Sequence, residues 1–167
     1  GFRLLDLGDH RRILQLGVYE LLHFAHVGGL ANERQRHVIH VELPGDLADR
    51  NRAYPDSYPD CLASFGNLDL DAYFIGLTGA TYPFGPEKDR QLCESLARRV
   101  KGRPVFTASA AILDALRAMG ASRICLVSPY PQWLTDQSVA YWEAAGIRVD
   151  PVFKMGETFR AYEMNTS

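Results

Sequence analysis

Three short loops rich in hydroxyl and small side chains carry the residues best suited to chemistry. They are Thr78-Gly79-Ala80-Thr81-Tyr82, Thr107-Ala108-Ser109 and Ser128-Pro129-Tyr130, and each follows an apolar run and leads towards a helix start. Hydroxyls and free backbone N–H groups in such places suit a carboxylate or an oxyanion. Ser and Thr at strand ends also cap helices and form turns, so each loop alone fits a structural role as well. The three loops together favour a binding site.

The elements that must position these loops alternate regularly from residue 70 onward. Apolar runs of strand length occupy residues 71–77, 104–107, 123–128 and 147–153, and the unbroken apolar centre of 123–128 predicts a buried strand. Helical periodicity and glycine stops predict helices between them, with Ser109 as the cap of the middle one. This alternation is typical of parallel sheets. Ligands of such sheets bind beyond the carboxyl ends of the strands, where the three loops lie.

The first 70 residues give weaker patterns. Residues 12–25 fit either one helical face or a strand followed by a helix, and we favour the second because a sheet needs a first strand. Residues 37–43 alternate as a strand does. Residues 46–59 are polar and include Pro55 and Pro59, so we expect a loop there.

Composition narrows the functional classes. The 167 residues are 47% hydrophobic and 23% charged with a net charge of -2, which is typical of a soluble domain and gives no basic surface for nucleic acid. No apolar run reaches the ~20 residues that a membrane span needs, and the start lacks a signal-peptide layout. Cys61, Cys93 and Cys125 are odd in number and widely spaced, which disfavours disulfides. We therefore expect a cytoplasmic protein that binds neither membranes nor nucleic acid.

Two histidine pairs have a spacing that could hold a metal ion on a helix. His23 and His26, like His37 and His40, are three residues apart. No nearby cysteine or carboxylate completes a ligand set, so we expect no metal site.

The order of motifs in the second half resembles a known family. Residues 104–130 fit P-V-x-T-x-x-x-A, then A-L-x-x-x-G, then R-I-x-x-x-T-P-Y with Ser128 in place of the threonine, and residues 141–149 continue the likeness. This pattern resembles the maleate isomerase and arylmalonate decarboxylase branch of the aspartate/glutamate racemase superfamily, from about Asp71 to Val152. The resemblance implies an α/β fold of two flavodoxin-like lobes, with short parallel sheets flanked by helices. We place them at residues 1–102 and 103–167, the second lobe being incomplete.

The resemblance also implies the site residues and the ligand. Thr78, Gly79, Ala80 and Thr81 stand at the threonine, serine, glycine and last serine of the family's C-T-S-G-S motif, and Tyr130 is the tyrosine of T-P-Y. The resemblance implies a small carboxylate substrate, with no metal and no organic cofactor. It implies catalytic roles for Thr78 and Tyr130. Assembly into a homo-oligomer is left open by the sequence. The implied substrate-binding residues are Thr78, Gly79, Thr81, Ser128 and Tyr130.

One departure from the family favours one type of chemistry and leaves an alternative open. Leu77 stands where the family's first-lobe cysteine stands, and the second-lobe cysteine is expected after Ser167. We therefore expect a cofactor-independent isomerase or decarboxylase acting at the carbon next to a carboxylate, with single-cysteine, decarboxylase-like chemistry favoured. The alternative is a catalytically defective or truncated relative that only binds a small carboxylate. Cys61 and Cys93, on expected helices, and Cys125, in mid-strand, cannot replace the missing cysteine.

Overall fold

The computed structural model describes Leu5–Asp6, Arg12–Ile13, Ile39, Val41 and residues 43–155. Two short strands come first, followed by four helices, one 3-10 turn and four further strands. In chain order they are β1 (Leu5–Asp6), β2 (Arg12–Ile13), α1 (Leu47–Ala63), β3 (Tyr73–Ile75), the 3-10 turn (Tyr82–Phe84), α2 (Gly85–Arg99), β4 (Val105–Thr107), α3 (Ala108–Ala118), β5 (Arg123–Ser128), α4 (Gln132–Ala144) and β6 (Arg148–Lys154).

The strands of the second half pair in parallel, as the alternation of strands and helices predicts. β3 pairs with β4, with Phe74 opposite Phe106, and β5 pairs with β6, with Val127 opposite Phe153. β1 and β2 form a separate antiparallel pair. The predicted α/β fold with short parallel sheets and flanking helices is confirmed. The two-lobe division after residue 102 stays a prediction, and the β3–β4 pair includes strands from both sides of it.

The loop expected at residues 46–59 is wrong, because this segment lies in α1. Asp46 caps the helix by accepting a hydrogen bond from the Asp49 backbone N–H at 2.8 Å. Pro55 and Pro59 each remove one helical hydrogen bond, which misled the prediction. One face nevertheless buries Asn51, Tyr58 and Leu62, at the spacing of a helical stripe. The burial of this face outweighs the two missing bonds.

Two local predictions also need correction. Thr107, not Ser109, caps α3, and its hydroxyl accepts from the Ala110 backbone N–H at 3.1 Å. β5 is not a fully buried strand, since Val127 is 41% exposed. Because β5 has β6 as its one strand neighbour among the described residues, part of its apolar surface stays open to solvent. The unbroken apolar run predicted the strand correctly and its burial wrongly.

Two apolar clusters hold the described part together. The smaller packs α1 against α2 and β4 through Tyr58, Leu62, Leu96 and Val105. The larger packs α4 against α3, β6 and the 3-10 turn; its buried members are Tyr82, Leu113, Leu116, Leu134, Tyr141, Trp142, Ile147 and Val149. Tyr82 sits at its centre, edge-on to Tyr141, Trp142 and Tyr130. The loop after β3 is therefore fixed against α4.

Several predictions for the N-terminal part fall largely outside the described residues. All four histidines of the two pairs lie outside the described residues, and so do most of residues 12–25. Arg12–Ile13 form β2, whereas Ile39, Val41 and Leu43 lie outside any strand. Across the described positions, none of the helices is long and apolar enough to cross a membrane.

Candidate functional site

The loops after β3 and β5 meet through two side-chain hydroxyls. The Thr78 Oγ1 and the Tyr130 Oη lie 2.9 Å apart, although 52 positions separate them in the sequence. Thr78 is buried and Tyr130 is half-buried. The structure thus brings together the two residues for which catalytic roles were predicted.

The surroundings keep Tyr130 protonated. Burial raises the pKa of the Tyr130 hydroxyl above its usual value, and the hydrogen bond with Thr78 offsets only part of this shift. Tyr82 packs edge-on against the Tyr130 ring, with ring centres 6.4 Å apart, and burial raises its own pKa to about 12. At neutral pH both phenols are therefore neutral, and Tyr130 can donate a hydrogen bond.

Thr81 lies one layer behind this contact. Its hydroxyl donates to the Thr78 carbonyl oxygen at 2.9 Å and lies 2.7 Å from the Ser109 hydroxyl. Thr81 and Ser109 are both fully buried. Their contact joins the loop after β3 to the start of α3 and fixes the backbone that carries Thr78.

Ser128 has the corresponding position behind Tyr130. Its hydroxyl accepts from the Tyr130 backbone N–H at 3.3 Å and lies 2.7 Å from the hydroxyl of Thr135. Thr135 in turn donates towards the Pro131 carbonyl oxygen at 3.2 Å. Ser128 is 1% exposed, so in this conformation it shapes the turn that presents Tyr130.

Gly79 brings the backbone of its loop close to two helices. A Cβ atom built on Gly79 would lie 3.3 Å from Leu134 Cδ2 of α4 and 3.2 Å from Asn51 Nδ2 of α1. Both contacts are tighter than ordinary van der Waals packing, so this approach depends on the missing side chain.

Lys154, the last residue of β6, was missed by the sequence analysis. Its ammonium group donates to the Tyr130 carbonyl oxygen and lies 3.1 Å from the Thr135 hydroxyl. The strand-end rule that selected the other loops also points to this position. Lys154 adds positive charge behind the Tyr130 turn, which favours an anionic ligand nearby.

The cysteines lie where the sequence placed them. Cys61 is on α1, Cys93 on α2 and Cys125 within β5, and all three are half-buried free thiols. Burial raises the pKa of the Cys93 thiol, which disfavours its reactive thiolate. Leu77, which precedes Thr78, has no thiol. The loops after β3 and after β5 contain no cysteine at all.

A second polar cluster, centred on Asp89 of α2, lies in the interior. Its carboxylate accepts hydrogen bonds from the Thr107 hydroxyl at 2.8 and 2.9 Å and from the Tyr141 hydroxyl at 2.7 Å. Asp89 is fully buried, and burial raises the pKa of its carboxyl group above the usual value, against the lowering effect of both hydroxyls. We call these three residues the Asp89 cluster. It ties α2 to β4 and α4.

The structure therefore arranges the predicted site residues in two layers. Thr78 and Tyr130 meet at the front, and Gly79 lies beside them. Thr81 and Ser128 support them from behind. Contact of any of these residues with a ligand stays a prediction.

Solved structures with similar folds come from two kinds of enzyme. A variant of the maleate isomerase from Pseudomonas putida S16, crystallised with maleate, is 25% identical, with a TM-score of 0.59 over 64% of this chain and 44% of that one. A Nocardia farcinica maleate cis-trans isomerase mutant with a covalently bound succinylcysteine intermediate is 25% identical, with a TM-score of 0.56 over 64% and 45%. Arylmalonate decarboxylase, at 19% identity and a TM-score of 0.57 over 66% and 49%, shares the fold.

Sequence comparison points to the same group. The maleate isomerase of Geobacillus stearothermophilus is 33% identical over 63 residues, which are 38% of this chain and 25% of that protein. The chain thus spans about a quarter of this curated relative and less than half of the solved structures. The arylmalonate decarboxylase family model matches residues 69–156, more than half of the chain and all of the second-half elements from β3 to β6. The chain therefore belongs to the arylmalonate decarboxylase family.

Proposed function

We propose that this chain binds a small dicarboxylate and belongs to an enzyme that isomerises or decarboxylates it at the carbon next to a carboxylate. The observation that carries the proposal is the 2.9 Å contact between the Thr78 and Tyr130 hydroxyls. It joins two strand-end loops in a chain of this family, at the edge where α/β sheets bind ligands.

The proposed chemistry follows from what these hydroxyls can do. Each can donate one hydrogen bond, and in the free protein one of them donates to the other. An incoming carboxylate would accept from both, so the neutral contact would be exchanged for two stronger, charge-assisted hydrogen bonds. The same donors would stabilise the enediolate that forms when the neighbouring carbon loses a proton or a carboxyl group.

The relatives support this substrate class and indicate what else the reaction needs. One was crystallised with maleate, and another holds a covalently bound succinylcysteine intermediate. Leu77 has no thiol that could form such an intermediate. We propose that the reacting cysteine is supplied by a part of the protein beyond these 167 residues, which is compatible with a chain that spans less than half of those structures. In this proposal, hydroxyl and thiol groups carry out the reaction without a cofactor.

A second candidate function is carboxylate binding without turnover. It is favoured by Leu77 at the position of the family's first cysteine and by the raised pKa of the Cys93 thiol. The two candidates share the binding site and differ only in whether a group for proton transfer is supplied.

A cytoplasmic location is also proposed, on the evidence of the cysteines. All three are free thiols that lie on separate elements, which fits a reducing compartment.

The test is calorimetric titration of maleate and phenylmalonate into the 167-residue chain and its Tyr130→Phe variant. Removal of one hydrogen bond to a charged group weakens binding by roughly 10- to 100-fold. Tyr54→Phe is a matched control, because Tyr54 lies on α1 in the other apolar cluster. Equal affinity of wild type and Tyr130→Phe, or no binding by wild type, would contradict the proposal.

Turnover separates the two candidates. Fumarate formed from maleate indicates an isomerase, and carbon dioxide released from phenylmalonate indicates a decarboxylase. Because the first candidate needs a cysteine beyond these 167 residues, turnover is assayed with the protein extended beyond them. Binding of either compound by that protein with no product supports the second candidate.

A further inference from the structure

Asn51 is a buried polar residue that no role described so far explains. It lies on α1, is 5% exposed, and its Nδ2 has no hydrogen-bond partner among the described residues. A buried amide without a partner has lost its hydration with no hydrogen bond in return, which destabilises the folded protein. Such a group in a folded protein calls for an explanation, which can be an ordered water, a bound ligand or a catalytic role.

The amide of Asn51 lies against the loop that carries Thr78. A Cβ atom built on Gly79 would be 3.2 Å from Asn51 Nδ2 and 3.6 Å from Asn51 Oδ1. Both amide atoms thus face the backbone of the residue next to Thr78. The terminal torsion of asparagine is broad, so a modest rotation re-aims the NH2 group along this loop.

Gly79 makes this approach feasible. Its Cβ position is already crowded by Asn51 and by Leu134, so a serine at 79 would force the amide to withdraw. The C-T-S-G-S motif that this loop resembles carries a hydroxyl at that position, and this chain does not. An amide from α1 therefore lies against the space that a side chain at position 79 would enter.

We propose that Asn51 is a third hydrogen-bond donor of the carboxylate site and replaces the side-chain hydroxyl absent at Gly79. This inference rests on the proposed function. On binding, the Asn51 NH2 donates to the carboxylate held by Thr78 and Tyr130, and the amide gains the partner that it lacks in the free protein.

The charge around the site agrees with this role. Residues 78–82 and 128–131 include no acidic side chain, and the Lys154 ammonium donates to the Tyr130 carbonyl oxygen. Three neutral donors with a cation behind them suit a dicarboxylate. An aspartate at position 51 would instead place a negative charge against the ligand.

The experiment measures maleate affinity of the 167-residue chain by calorimetry, with urea unfolding of each variant. Asn51→Leu keeps a similar volume without a donor and should weaken maleate binding by roughly 10- to 100-fold. Its unfolding midpoint should stay unchanged or rise, because the Asn51 NH2 group donates to no described protein group that the substitution would leave unpaired. A purely structural role would lower the midpoint. The exposed Asn67→Leu is the matched control and should change neither property.

A double substitution tests the replacement itself. Asn51→Ala alone should weaken binding like Asn51→Leu, and adding Gly79→Ser in that background should restore affinity to within about threefold of wild type. Gly79→Ser with Asn51 intact should not strengthen binding, because the two side chains compete for one space. This comparison also decides the matter if Asn51→Leu fails to fold.

Two outcomes would overturn the inference, and they differ from failure of the proposed function. If Asn51→Leu binds maleate like wild type while Tyr130→Phe does not, Asn51 is no donor and the site stands. If Asn51→Ala is weak and Gly79→Ser restores nothing, the replacement is wrong. If Tyr130→Phe is also unaffected, the proposed function itself falls.

Discussion

Two polar clusters lie within the same α/β framework, and they solve the problem of buried polar groups differently. At the candidate site two neutral hydroxyls, of Thr78 and Tyr130, share one hydrogen bond at 2.9 Å. In the Asp89 cluster a carboxylate accepts from the hydroxyls of Thr107 and Tyr141 at 2.7–2.9 Å. The first cluster is made of donors and the second already holds its acceptor.

This difference distinguishes a cluster that can bind an anionic ligand from a cluster that stabilises the fold. A pair of hydroxyls can part to receive an anion, since the bonds to a charged acceptor are stronger than the bond that is lost. The Asp89 cluster cannot accept another carboxylate, because its donors are engaged and its own charge would repel the ligand. We therefore expect substitutions in the Asp89 cluster to reduce stability and substitutions at the site to reduce binding.

The largest effect is expected for Asp89→Ala. The change leaves the hydroxyls of Thr107 and Tyr141 without their acceptor in the interior, at about 1–3 kcal/mol each. The cost of burying the Asp89 charge is relieved at the same time, so the free energy of unfolding should fall by about 2–4 kcal/mol. Urea unfolding measures it.

The control for Asp89→Ala is Asp114→Ala, an exposed position on α3. It should change the free energy of unfolding by less than about 0.5 kcal/mol. Equal unfolding midpoints for the two variants would show that the Asp89 cluster does not support the fold.

Thr107→Val should have the next largest effect. Valine keeps the shape but removes the donor to Asp89 and the acceptor for the Ala110 N–H at the start of α3. Loss of a helix cap costs about 1 kcal/mol and loss of the bond to the carboxylate adds to it, so we expect a fall of about 2 kcal/mol in unfolding free energy. Thr107→Ser keeps both hydrogen bonds and should recover most of the lost unfolding free energy. A serine variant as unstable as the valine variant would contradict this explanation.

Thr78→Val tests the other half of the comparison. Tyr130 is half-buried and can reach solvent, so loss of its partner should lower the free energy of unfolding by about 1 kcal/mol or less. The affinity for maleate should nevertheless fall about tenfold, because one donor to a charged ligand is removed. A loss of stability larger than that of Thr107→Val, with unchanged affinity, would reverse the assignment of the two clusters.

The sequence selected the residues that meet at the candidate site, but it gave no signal for Asp89 and Asn51. Strand-end position and motif likeness both selected Thr78 and Tyr130, because these signals depend on residues that are close along the chain. Asp89 and Asn51 carry no such signal: each acts through contacts with distant elements. Asn51 was further hidden by Pro55 and Pro59, since proline is a strong indicator of a loop and the burial of Tyr58 and Leu62 outweighed it.

Secondary structure was predictable for a related reason. Glycine stops and apolar periodicity are local, and β5 (Arg123–Ser128) has the predicted bounds. Its exposure was not predictable, because it depends on how many strands lie beside it. Thr107 shows the same limit: both Thr107 and Ser109 could cap α3, and only the backbone geometry selects the first.

The smallest effect is expected in the pH dependence of the Asp89 cluster. Burial raises the pKa of the Asp89 carboxyl in the folded state above its unfolded value, so the folded protein binds this proton more tightly. The contribution of Asp89 to stability is then fully present below the unfolded pKa, near 3.8, and is lost as the pH rises through the folded pKa. Asp89→Asn cannot titrate and therefore serves as the reference.

The stability of wild type relative to Asp89→Asn should improve steadily as the pH is lowered from 7 towards 4, measured by urea unfolding at each pH. A constant difference would show that Asp89 has the same pKa folded and unfolded, and an opposite slope would show that the two hydroxyls stabilise its charge more than burial disfavours it.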